Sequence, residues 1–376
     1  MAETRAAPVP LRGSARVCYL HVGMHKTGTT SLQLALHGWD DGRARYARFD
    51  DANHSVALYT LFAPKAAMHP ALRREGHGPK GVQALRRLWR AQLDADLAWE
   101  SRDLILSGEA LSRPMAQDPV AENLLARLLD SFDRVEVLAY VRAPGGFILS
   151  QYQELLKQGA KLPELPQSWP RYRARLEKWL TPRDRVVATA VPFDRAHLAS
   201  GCVVKDAMRR FGLNGADMIV QDRNLSLSAE AAAALMCHRK FGTGLPDRPG
   251  KAAAQAHTRG MLACIGNRRL ELSRRSTELL CDTWAEDLDW MTTALRLDPA
   301  AAAGFRSGEA PRPRDGAFVL SEPDDLIALA PEIESDLRAL VPGHVPHGED
   351  AAARVASCVD AMLRREWRRH SRRTAI

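Results

Sequence analysis

The sequence predicts an α/β fold in three layers, with a central, mostly parallel sheet flanked by helices, followed by a helical C-terminal region. Three observations carry this expectation. Short apolar runs rich in β-branched or aromatic residues recur as RVCYLHVG, DLILS, VEVLAYV and RVVATAV, the texture of strands buried on both faces. Helix-length segments separate them, so the strands connect by crossovers and pair in parallel. Beyond about Leu225 the strand texture gives way to alanine-rich helical segments.

Residues 1–13 read as a flexible leader. The first strand, Arg16 to Gly23, stops at glycine and runs at once into a helix over Thr29 to His37, with Leu32, Leu34, Ala35 and Leu36 among polar positions. Threonines and a serine are available to cap its start. Strands follow at Asp103 to Ser107, Val135 to Val141 and Arg185 to Val191, with helices at Val82 to Trp99, Val120 to Ser131, Gly146 to Lys157 and Tyr172 to Leu180. The boundaries implied are a sheet domain over 14–225 and a helical cap or extension over 226–376. In the latter, helices are expected at Ala229 to Phe241, Ala252 to Ile265, Thr277 to Leu297, Asp324 to Leu340 and Asp350 to Arg369, with Pro299 to Gly316 as a loop. In RNLSLS (Arg223 to Ser228), Ser226 or Ser228 is placed to cap the first of these.

With 376 residues, 45% hydrophobic and 26% charged, the chain has the composition of a folded globular protein. No apolar run reaches the ~18 residues of a membrane span, and the first residues carry Pro and charge where a secretory signal has its apolar stretch. A cytoplasmic address is the expectation. Cys18, Cys202, Cys237, Cys264, Cys281 and Cys358 lack CxxC or metal-ligand spacing and read as buried thiols, with no disulfide framework and no zinc. The net charge of +8 suits an anionic ligand. A nucleic-acid partner is not expected, since no aromatic-interleaved basic patch or reading module is present. The basic end RREWRRHSRR (Arg364 to Arg373) reads first as a solvated helix terminus favoured by the dipole, with peripheral contact to an anionic polymer or membrane surface as the alternative.

The strongest local signal is GMHKTGTTS, Gly23 to Ser31, between a buried strand and a helix. Glycines permit a tight turn, so successive backbone N–H groups and the helix terminus can surround a phosphate. Lys26 adds a full charge, and Thr27, Thr29, Thr30 and Ser31 add hydroxyls. The triphosphatase loop GxxxxGK[ST] places lysine directly after its second glycine. Here Gly23 and Gly28 keep the spacing, but Thr29 stands at the lysine position and the lysine is at 26. That argues against a β,γ-phosphate and its magnesium.

This segment resembles the 5'-phosphosulfate loop of the sulfotransferase family, which reads PKSGTT or PKTGTT where this chain has HKTGTT. A second motif supports the resemblance. The family's 3'-phosphate site reads RxPxxxxxS, and this chain has YVRAPGGFILSQY, with Arg142 at a strand end and Ser150 eight residues on. Arginine offers a phosphate a charged fork, and a serine about two helical turns later can face the same group. The likeness covers about Ala15 to Leu213 and is closer to bacterial and carbohydrate-type members than to the cytosolic animal enzymes. Those enzymes have tryptophan where this chain has Ser31, and their RKG segment is absent here.

The resemblance implies a P-loop three-layer fold, 3'-phosphoadenosine-5'-phosphosulfate (PAPS) as donor, its bisphosphate (PAP) as product, and no metal. His25, Lys26, Thr27, Gly28, Thr29, Thr30, Ser31, Arg142 and Ser150 would hold the nucleotide, with Lys26 near the bridging oxygen. Glu109, after the strand Asp103 to Ser107, is the first candidate for general base. His54 and Asp51 are second choices. His25 is open between touching the donor and bracing the loop. The acceptor, a hydroxyl or amino compound, is unidentified, with carbohydrate favoured by the resemblance. Alternative readings are a P-loop kinase and a PAP-binding protein without chemistry.

Overall fold

The computed structural model describes residues 15–63, 69–99, 102–113, 119–159, 163–215, 218–220, 226–246, 250–307 and 316–373. The expected leader therefore lies outside the described residues, as do Arg223, Asn224 and Leu225 of the RNLSLS segment. The chain forms two compact units, and neither is continuous in sequence. The first is Met1–Arg142, Arg171–Asn224 and Glu286–Leu297; the second is Ala143–Pro170, Leu225–Ala285 and Asp298–Ile376.

The first unit is an α/β unit built on a five-stranded parallel sheet. Its strands are β1 (Val17–Val22), β2 (Ala44–Tyr46), β3 (Asp103–Gly108), β4 (Arg134–Val141) and β5 (Val186–Pro192), in the order β2-β3-β1-β4-β5. Every residue of β1 is buried, as expected of a central parallel strand. Because β1 has β3 on one side and β4 on the other, its carboxyl end is where the strand order reverses. Such sheets bind ligands at that point.

Around the sheet lie α1 (Thr29–Leu36), α2 (Ser55–Phe62), α3 (Pro70–Arg74), α4 (Pro79–Leu97), α5 (Val120–Leu129), α7 (Tyr172–Leu180) and α8 (Val203–Arg210). Leu32 and Leu36 of α1 join Val204, Ala207 and Met208 of α8 against Tyr19, Ile105, Leu138 and Tyr140 of the sheet in one apolar cluster. Asp206, wholly buried, accepts from Tyr140 Oη at 2.7 Å and Arg210 Nε at 2.6 Å, which ties α8 to β4. Strand β2 and helices α2 and α3 are additional to the elements legible in the sequence. The cap of α1 differs too: Gly28 occupies it in the left-handed region (φ 75°), with no side-chain hydrogen bond from the threonines or serine.

The second unit contains α6 (Pro144–Gln158), α9 (Ala229–Phe241), α10 (Lys251–Leu262), α11 (Arg274–Thr283), α13 (Pro299–Ser307), α14 (Ala330–Leu340) and α15 (Ala351–Arg373). Ala229 and Ala231 to Ala234 of α9 are completely buried, and α15 packs against this helix through Val355, Cys358, Val359 and Met362. Small side chains let the two backbones approach closely. Ser228 caps α9, its hydroxyl accepting from Ala231 N at 3.0 Å.

Three expectations for this part of the chain are corrected. Pro299 to Ser307 is helical rather than loop: proline at the first position and four alanines favour helix there. The stretch expected as one helix over Thr277 to Leu297 is two, α11 and α12 (Ala285–Ala294), broken at Trp284 with φ −116° and ψ 30°. Two three-residue strands, β6 (Leu270–Leu272) and β7 (Phe318–Leu320), pair in parallel amid the helices. Cys264 is exposed and Cys202 half-buried, whereas the sequence reads all six thiols as buried. Among the described residues, no helix is long and apolar enough to cross a membrane.

Candidate functional site

Register builds the site. Strands β1 and β3 pair with Val22 opposite Gly108, and Gly23 N–H donates to the Gly108 carbonyl at 3.2 Å. The residues that leave these strands therefore start side by side. A side chain at Gly23 would bring its Cβ to 2.7 Å from the Thr29 side chain and 3.3 Å from the Glu109 Cα, so glycine is required for this closeness. The consequence is a contact between His25 Nδ1 and Glu109 Oε1 at 2.7 Å.

The loop after β1 turns through two left-handed residues, Lys26 (φ 69°) and Gly28 (φ 75°). Left-handed backbone is uncommon for lysine and costs on the order of 1 kcal/mol. Alternation of backbone sign over such residues is the arrangement in which successive N–H groups line an anion-binding concavity. Thr27 is buried, and its hydroxyl donates to the Met24 carbonyl at 2.7 Å, bracing the turn from within. Thr29 is buried beside it, Ser31 is nearly so, and Thr30 is exposed at the first turn of α1.

Arg142 follows the last residue of β4, and its guanidinium donates to the Lys26 carbonyl at 3.1 Å. Two stretches 116 residues apart in sequence are thus joined at the carboxyl ends of adjacent strands. Tyr172 Oη donates to the Arg142 carbonyl at 2.7 Å, holding the backbone there. Burial first, and the charge of nearby Arg195 second, pull the Arg142 pKa below the usual guanidinium value. Two cations held near each other are an arrangement that a bound anion relieves.

A scan against protein-family models found no match, and no curated protein matches the chain in sequence.

Of the residues singled out from sequence, the structure brings together His25, Lys26, the Thr27 to Ser31 segment, Glu109 and Arg142. Ser150 lies in α6, within the second unit, whereas Arg142 ends the first stretch of the first unit. His54 is fully buried, stacked on Tyr46 with ring centroids 4.2 Å apart. It has none of the exposed surface a general base needs to meet an acceptor. Asp51 is exposed and accepts from Asn53 N at 2.9 Å, as in a local turn. Arg195, in the loop after β5, had no signal beyond its place behind a strand. The pairing of His25 with Glu109 was equally silent, because it depends on strand register.

A buried polar network underlies the loop. His21 Nδ1 lies 2.8 Å from Ser107 Oγ, and Gln33 Nε2 donates to the same oxygen at 3.1 Å and to Asn53 Oδ1 at 3.2 Å. Burial lowers the His21 pKa to about 4 and that of His54 to about 3, so both are neutral at pH 7. In the unfolded chain these rings bind protons near pH 6.5. The unfolded state then holds more protons as pH falls from about 6.5 towards 4, and stability must fall with it. The loss is on the order of 3 kcal/mol for each histidine. Urea midpoints are expected to drop across this window, and H54F should flatten the slope. An equal slope in H54F would refute the assignment to His54.

Proposed function

We propose that the chain is a P-loop protein that transfers a sulfuryl group from PAPS to a hydroxyl or amino group of an acceptor, with carbohydrate the favoured class. One observation carries the reading: the Arg142 guanidinium, from the motif resembling a 3'-phosphate site, meets the backbone of the Lys26 loop. An adenosine phosphorylated at both ends needs two cationic anchors in reach of each other, and these residues supply them.

The acceptor oxygen or nitrogen attacks sulfur in line. The bond from sulfur to the 5'-phosphate oxygen breaks, and PAP leaves with its electron pair. Lys26 meets the charge that grows on the departing oxygen. The acceptor's proton goes to the His25 and Glu109 pair. With Nδ1 engaged by the carboxylate, the His25 ring presents Nε2 as its remaining basic nitrogen, so Glu109 orients the imidazole as well as sharing the positive charge.

The test is thermal unfolding with PAP compared with ATP plus magnesium. PAP at about a hundred times its dissociation constant should add ~2.7 kcal/mol to stability, and Arg142→Ala should cost ~1.5 to 3 kcal/mol of PAP affinity. Stabilisation by ATP with magnesium and not by PAP would overturn the reading in favour of a triphosphate site.

A further inference from the structure

The basic end of the chain forms more than a solvated helix terminus. One face of α15 carries Ser357, Ala361, Arg364, Arg365 and Arg368, at the three- and four-residue spacing that aligns side chains on a helix. Together with Arg369 they line a cavity of about 550 Å³ whose other wall is the turn from Pro342 to His347. That volume lies within the ~300 to 1,000 Å³ of ordinary small-molecule sites. Among the described residues, four guanidinium groups line it and no carboxylate does.

The opposite wall is held in place. Ser357 Oγ lies 2.9 Å from His344 Nε2 and 2.9 Å from His347 Nδ1. A hydroxyl has a single proton, so at most one imidazole accepts from the serine and at least one donates to it. The two histidines thereby fasten the turn to the helix. Nearby carboxylates offset only part of the positive charge, and they do so from inside the unit. Asp360 is buried and occupied by His238, Thr243 and Gly244, with Arg364 at 3.5 Å. Glu366, 1% exposed, takes Arg369 at 2.9 Å and Arg365 at 3.4 Å. Arg368 is exposed and has no carboxylate within ion-pair distance among the described residues. Like charges this dense on two turns of helix oppose one another, and the favourable helix dipole offsets little of that.

We propose that this cavity binds a molecule carrying two or more clustered phosphate or sulfate monoesters, held by the forks of Arg364 and Arg368. Arginine forks match such oxygens two at a time. The same chemistry is offered by a soluble polyanion and by a phosphorylated lipid headgroup. The cavity lies within the second unit, and its occupancy is independent of sulfuryl transfer.

The experiment uses the full chain at physiological salt, with two probes: tripolyphosphate by calorimetry, and phosphatidylcholine vesicles containing phosphatidylinositol bisphosphate by co-sedimentation. Binding of at least one probe is expected, weakened roughly tenfold or more in Arg364→Gln/Arg368→Gln and retained in Lys26→Ala. Tripolyphosphate binding alone identifies a soluble ligand, and Arg368-dependent vesicle binding identifies a headgroup. Stabilisation by PAP should be unchanged in the double variant, which separates this site from the loop at Lys26. If the double variant does not fold, Arg368→Glu, at an exposed position, gives the same readout. Failure of both probes to bind, or wild-type affinity in a folded variant, would overturn the proposal.

Discussion

Lys26→Ala is expected to lower turnover by about a hundred- to a thousandfold while weakening PAP binding far less. The asymmetry follows from where the charge is needed. Under the proposed function, the loop backbone and Arg142 would meet the nucleotide phosphates in the ground state, whereas the lysine would be needed most when the 5'-phosphate oxygen takes on the electron pair. Release of PAP from the donor, with water or a hydroxyl-bearing sugar as acceptor, measures the first quantity, and calorimetry with PAP measures the second. A variant that binds PAP poorly yet turns over normally at saturation would make Lys26 an anchor only.

The largest expected loss of stability comes from Asp96→Ala. Arg45 on β2 and Asp96 on α4 are each 3% exposed and joined at 2.6 Å, and Arg48 N–H donates to the second carboxylate oxygen at 2.7 Å. Burial pushes the Asp96 pKa up and the Arg45 pKa down, so both groups are held charged against a desolvation cost. Removing the carboxylate leaves a buried guanidinium supported by stacking on Trp99 at 3.7 Å and by a long hydrogen bond to the residue-96 carbonyl at 3.4 Å. Breaking such a pair costs about 3 to 5 kcal/mol. Urea unfolding of the variant measures it, and a change under about 1 kcal/mol would mean the site rehydrates.

How far the sequence could be read follows from which forces are local. Strands β1, β3 and β4 announced themselves because central parallel strands are apolar along most of their length; β5 has the same apolar texture in sequence, yet it lies at the sheet edge and is largely half-buried or exposed, with Val187 open to solvent. Strand β2 did not: its residues are Ala44, Arg45 and Tyr46, and what makes them a strand is pairing with β3 and the buried ion pair. At the site, the glycines, Lys26 and Arg142 were visible as residue types at meaningful spacing. The contact of His25 with Glu109 was not, since it arises from the offset of two strands more than 80 residues apart. His54 was a second-choice base on the strength of the resemblance alone, and packing against Tyr46 and Phe49, which no local pattern announces, buries it. The four alanines of α13 were outweighed in the reading by nearby proline, glycine and arginine, although alanine is the strongest helix former.

The interleaved path of the chain bears on how the protein is made. Asp287 of α12 accepts from the backbone N–H groups of Tyr172 and Arg173, each at 2.8 Å, and so closes the start of α7, whose Tyr172 holds Arg142. A nascent polypeptide released or clipped near residue 225 would carry every strand of the parallel sheet but lack that carboxylate. Truncation there should therefore fray the support beneath Arg142, and ribosomal synthesis must proceed past Asp287 before α7 can be secured.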